Sequence, residues 1–84
     1  MPITVSQREA VRQLIAHTCG SAAVLDEPDA DLTEAGLLDS LALVELLVGI
    51  SEIVGLDIPP TDVDRSELAT VNLILAFVDD RMDQ

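Results

Sequence analysis

Asp39-Ser40-Leu41-Ala42-Leu43-Val44-Glu45-Leu46-Leu47-Val48-Gly49-Ile50-Ser51-Glu52-Ile53-Val54-Gly55 is the stretch on which the reading of this chain turns. It opens on two residues that can cap a helix, has no Pro, and has only Gly49 before its final glycine. It therefore predicts a helix from Leu41 to Val54, ended by Gly55. At helical spacing Leu43, Leu46, Leu47, Ile50 and Val54 form one tight stripe, while Leu41, Val44 and Val48 form another on nearly the opposite side. One stripe can face a core. The other must face something else.

Toward the N-terminus, Ser6-Gln7-Arg8-Glu9 reads as a capping box, and Val11, Leu14, Ile15 and Cys19 fall on one helical face before Gly20. A first helix is expected from about Ser6 to Cys19. Between Gly20 and Leu38 lies a long acid-rich connection containing Pro28, from which Val24, Leu25, Leu32, Leu37 and Leu38 can reach the core. Such length in a small domain marks a structured, functional loop. On the other side, Ile58-Pro59-Pro60 forces an extended segment and Thr61 to Leu68 allows a short helical turn or two. Thr70 then caps a last helix carrying Val71, Ile74, Leu75, Val78 and Met82 on one face, with Asp79, Asp80 and Asp83 as a solvated acidic end. No alternating strand pattern and no repeat occurs. The expected fold is all-α, a small bundle of three main helices plus one short helix in a single domain, residues 1-84.

Composition narrows the function. Sixteen acidic residues against four arginines give 84 residues a formal charge of −12, which excludes a nucleic-acid binder that works by neutralising phosphates. A hydrophobic fraction of 49% and a mean hydropathy of +0.39 oppose disorder. The core must be aliphatic, because Phe77 is the only aromatic residue. A lone Cys forms no internal disulfide, and no Cys/His group has metal-ligand spacing. Met1-Pro2-Ile3-Thr4 does not begin a basic and apolar leader, and no stretch has membrane-spanning length, so a cytoplasmic protein without membrane insertion is expected.

Catalytic equipment is sparse. His17 lies among polar neighbours of the first helix, Cys19 continues an apolar stripe, and Ser40 has neither a Gly-x-Ser-x-Gly turn nor a nearby His. Asp29-x-Asp31 and Asp62-x-Asp64 lack the Gly and Glu that complete a calcium loop. The chain reads as no enzyme. What stands out is Ser40, whose hydroxyl sits where the N–H groups and dipole of a helix favour an attached phosphate. Simple capping by Asp39 or Ser40 is the ordinary explanation of such a pair. Here, however, the same helix bears the second apolar stripe with Glu45 and Glu52 beside it, as a docking surface for a basic, apolar partner would.

With these residues in view, the chain resembles the phosphopantetheine-dependent carrier proteins of acyl and aminoacyl transfer. The resemblance spans the first helix, the long loop, Asp39-Ser40-Leu41, Val44-Glu45-Leu46, Ile58-Pro59 and Thr70-Val71. It implies that Ser40 carries 4′-phosphopantetheine from coenzyme A, whose thiol holds the cargo as a thioester. It further implies that Asp39 presents the serine to a phosphopantetheinyl transferase, and that Leu41, Val44, Glu45 and Val48 are read by partner enzymes. Glu34-Ala35-Gly36-Leu37-Leu38-Asp39-Ser40 and Asp64-Arg65-Ser66-Glu67-Leu68-Ala69-Thr70-Val71-Asn72 are most similar to D-alanyl carrier proteins of teichoic-acid modification. The D-alanyl pattern has a Trp near Leu68 and a Pro at Val71, which this chain lacks. The reading favoured from sequence is therefore a monomeric, free-standing carrier of an amino-acid-derived unit in natural-product biosynthesis. An adenylation enzyme would load it, and an acyltransferase or macrolactam polyketide synthase would unload it. The alternatives are a D-alanyl carrier protein and a non-carrier acidic interaction module.

Overall fold

The computed structural model describes residues 3–82, which form three α-helices: α1 (Val5–Cys19), α2 (Ser40–Val54) and α3 (Val71–Met82). No strand occurs among the described residues. The all-α bundle expected from sequence is the observed fold, with differences only in its minor elements. The short helix expected between Thr61 and Leu68 is split into two 3-10 turns, Pro60–Asp62 and Arg65–Leu68. Val63, half-buried and with extended dihedrals, lies between them and interrupts the helical path. A further 3-10 helix, Ala22–Asp26, lies in the first connection.

α1 begins earlier than the Ser6 box implied. Thr4 is the cap: its hydroxyl accepts from the Gln7 N–H at 3.0 Å, and the Gln7 side chain accepts from the Thr4 N–H at 3.0 Å. Glu9 is instead engaged along the helix surface, accepting from Gln13 Nε2 at 3.0 Å and lying 3.6 Å from Arg12. Starting at Thr4 also leaves Ile3 to pack on the core and to donate its N–H to Asp79 at 3.2 Å. Arg8 approaches the same carboxylate at 3.8 Å, so Asp79 is a half-buried tether between the chain start and α3 rather than a solvated acid. Asp83, also read as a solvated acid, lies outside the described residues.

The core is aliphatic, as expected. Val11 and Ile15 from α1, Leu46, Leu47, Ile50 and Val54 from α2, and Val71, Ile74, Leu75 and Val78 from α3 are buried together with Phe77. Gly20 ends α1 and Gly55 ends α2, each with a positive φ that suits glycine and turns the chain out of the helix. The 20–38 connection contributes Val24, Leu32 and Leu38 to the core, with Leu25 half-buried. Leu37 differs from expectation and is 37% exposed. It follows the positive-φ Gly36, and the turn that buries Leu38 points its neighbour outward. Backbone bonds from Leu37 and Leu38 to the Leu32 carbonyl, and from Leu32 to Ala69, fix this loop against the entry to α3. The loop thereby holds the start of α2 in place.

Candidate functional site

The site is built at the first turn of α2. Asp39, in an extended conformation, caps the helix by accepting from the Ala42 N–H at 2.8 Å, and its carbonyl accepts from Leu43. Capping therefore falls to Asp39. Ser40, the first helical residue, is exposed, and its hydroxyl takes no part in the cap. A phosphoryl group on Ser40 would meet the positive end of a 15-residue helix and the first-turn N–H groups that the cap leaves over. This donor set fits a phosphodiester: an exposed primary alkoxy oxygen, an adjacent helix N-terminus, and no buried wall that the attached chain must displace.

The two stripes of α2 separate as the spacing implied. Leu46, Leu47, Ile50 and Val54 are buried and Leu43 is half-buried, whereas Leu41 is 69%, Val44 42% and Val48 54% exposed. Leaving three large aliphatic side chains on one exposed helix face has no stabilising purpose within the chain. Glu45 and Glu52 are exposed on the same helix, and α2 contains no Lys or Arg to offset them. Ser40, Asp39, Leu41, Val44, Glu45 and Val48 thus come together as an apolar, negatively charged face that runs back from the exposed hydroxyl.

Sequence reasoning missed where that face leads. Beyond Val48 it enters a groove of about 620 Å3 between the second half of α2 and the segment 56–60, lined in part by Ser51, Glu52, Asp57 and Pro59. Its outer wall exists because Pro59 holds the chain extended while Ile58 is buried beneath. The Ile-Pro-Pro wording was the available signal, since it announces a straight segment beside a helix that it cannot continue.

The remaining candidates are accounted for locally. His17 is exposed in the last turn of α1, where a basic side chain complements the helix dipole. Cys19 is half-buried, and burial pushes its thiol above the ordinary range, which makes it a poor nucleophile. Asp29 accepts from Asn72 Nδ2 at 2.7 Å, Asp31 from the Glu34 N–H at 2.9 Å, and Asp64 caps the Arg65–Leu68 turn. These acids organise loops. Among the described residues no helix is long and apolar enough to cross a membrane.

Comparison with known proteins agrees with this geometry. The family model described as "Phosphopantetheine attachment site" matches residues 9–78. The chain is 41% identical over 68 residues to a D-alanyl carrier protein of Bacillus velezensis, covering 81% of this chain and 87% of that one. It is 39% identical over 66 residues to a D-alanyl carrier protein of Latilactobacillus sakei, covering 79% and 85%. A D-alanyl carrier protein of Abiotrophia defectiva is 36% identical over 74 residues, covering 88% and 94%.

Proposed function

The chain belongs to the phosphopantetheine-attachment family of carrier proteins, and on that premise we propose that Ser40 is the attachment residue of an aminoacyl carrier whose cargo is D-alanine or a closely similar small amino acid. The family's group is covalently attached 4′-phosphopantetheine, which when bound supplies a thiol that holds the cargo as a thioester. The chain's own residues do the rest. Ser40 Oγ, giving up its proton to the transferase, bonds to the pantetheine-bearing phosphorus of coenzyme A as the pyrophosphate breaks and adenosine 3′,5′-bisphosphate leaves. Asp39 fixes the turn that presents the serine, and the helix N-terminus stabilises the resulting phosphodiester anion. Leu41, Val44, Glu45 and Val48 offer the face read in turn by a phosphopantetheinyl transferase, an adenylation enzyme that loads the cargo and an acyltransferase that removes it. The −12 charge speeds encounters with basic partners.

The observation that carries this reading is an exposed serine left outside the cap at the start of a helix whose outer face is apolar and acidic. For the cargo, similarity to D-alanyl carriers supports D-alanine over the starter unit of a macrolactam pathway, even though the chain has no Trp and has Val71 in place of the expected Pro. The test is loading. The holo protein is incubated with ATP, labelled D-alanine and a D-alanine-adenylating enzyme. Label that hydroxylamine releases, and that Ser40→Ala never acquires, supports the proposal. A holo protein that refuses D-alanine but accepts a β-amino acid from another adenylating enzyme would return the assignment to natural-product biosynthesis.

A further inference from the structure

The 20–38 connection does more than bridge α1 and α2. It borders a partly open cavity of about 200 Å3 that is separate from the α2 face, floored by the buried Val24 and Leu32 and edged by Ala35 and the exposed Leu37. Among the described residues, the only charged ones lining it are acids, Glu27 and Asp31. One oxygen of Asp31 accepts from the Glu34 N–H at 2.9 Å, which leaves the other for a second donor. An aliphatic lining with two carboxylates and no base is complementary to a small aliphatic group that bears an ammonium, and it repels carboxylates and phosphates. The cavity is many times larger than the roughly 10–15 Å3 of probe volume that one water needs, so it has room for a small aminoacyl unit.

Its position matters equally. Leu37, on its edge, precedes Ser40 by three residues, and three residues span at most about 11 Å even when extended. A flexible arm rooted at Ser40 therefore reaches it without strain. We infer that this cavity is a resting site for the aminoacyl end of the loaded arm, where Glu27 and Asp31 receive the α-ammonium and Val24, Leu32 and Leu37 receive the aliphatic side chain. The inference rests on the aminoacyl-carrier reading and adds selectivity to it: the chain itself distinguishes aminoacyl from plain acyl cargo. Carboxylates in a partly open cavity hold an ammonium weakly, which suits a cargo that must leave for the next enzyme.

The test uses the holo protein in three states: unloaded, carrying an alanyl group through a stable amide, and carrying a propionyl group, which has the same carbon skeleton without the ammonium. Backbone and methyl NMR spectra are compared. The alanyl form is expected to shift signals of residues 21–37 and to show contacts from its methyl group to the methyls of Val24, Leu32 or Leu37. Both effects should be lost in the propionyl form and in the Glu27→Gln, Asp31→Asn double variant, whose loop remains capped because an Asn side chain still accepts from Glu34. An alanyl form whose 21–37 signals coincide with the unloaded protein overturns the inference, as does a propionyl form that makes the same contacts. A protein that takes up no arm, seen as an unchanged mass before any spectrum is recorded, overturns the carrier reading itself.

Discussion

Gly49 of α2 lies directly against Leu14 of α1: a Cβ built on Gly49 would stand 2.6 Å from Leu14 Cδ2 and 2.9 Å from Cδ1. This glycine in the middle of a helix lies where α1 packs on α2, and its missing side chain admits the leucine. Two effects oppose each other on substitution. Gly49→Ala gains about 1 kcal/mol of helix propensity but overpacks the contact at about 1–3 kcal/mol. The single variant should be neutral to destabilised by up to about 2 kcal/mol, whereas in a Leu14→Ala background the same change should stabilise by about 1 kcal/mol. Denaturant unfolding of the four proteins in the cycle measures this, and additive effects would mean the two side chains do not meet.

Opposite faces of α2 should respond oppositely to mutation. Val44→Asp or Val48→Asp should change stability by within about 0.5 kcal/mol, because both side chains already stand about half in water outside the core, yet should sharply slow transfer to partner enzymes. Leu47→Ala, on the buried stripe, should cost about 2–5 kcal/mol. Paired stability and loading assays read both quantities. Unfolding caused by Val48→Asp would mean that this face is not the free one.

The caps are separable from the chemistry. Thr70→Ala removes the oxygen that accepts from the Leu73 N–H at 3.0 Å, and Asp39→Ala removes the one that accepts from Ala42; each should cost about 1 kcal/mol. Only Asp39→Ala should also slow attachment at Ser40. Equal attachment rates in the two variants would confine Asp39 to a structural role.

These caps also show how the fold could be read in advance and where the reading failed. Thr70, Gly20 and Gly55 punctuate the helices because each supplies a feature that the adjoining residue types cannot, a side-chain acceptor or a positive φ. Both stripes of α2 followed from spacing alone, and the exposed stripe beside Ser40 was the legible part of the site. At α1 two boxes were spelled two residues apart, and Thr4 won over Ser6 because the earlier start packs the half-buried Ile3 on the core and ties its N–H to Asp79, a contact 76 residues away in sequence. The 20–38 loop was hardest. Its 3-10 helix is too short for a helical period to emerge, and which of Leu37 and Leu38 is buried depends on the turn at Gly36. The cavity formed by Val24, Glu27, Asp31 and Leu37 has no signature in sequence, because it exists only once the loop closes on the Ala69 carbonyl.

Charge should be felt in the folding equilibrium. With sixteen acids and four arginines on a small surface, repulsion opposes the compact state at neutral pH. The melting temperature should rise with added salt as screening takes hold. A melting temperature indifferent to ionic strength would show that the acids are spaced widely enough not to matter.

Cys19 gives a pH dependence of definite sign. Burial raises its pKa, so the folded protein holds the thiol proton more tightly than the unfolded chain does. Its contribution to stability is complete below the ordinary thiol pKa and is lost as pH rises through the raised value. Alkylation by iodoacetamide should accordingly be slower in the folded protein than in the denatured one at the same alkaline pH. Equal rates would show that the thiol is as accessible as in a free chain.

The central claim, that Ser40 is the point of attachment, is tested most directly by intact-mass measurement of the unmodified protein after incubation with coenzyme A and a broad-specificity phosphopantetheinyl transferase. A gain of one 4′-phosphopantetheinyl group, absent from a folded Ser40→Ala variant, is the predicted result. No gain, or a gain that persists in Ser40→Ala, would contradict it.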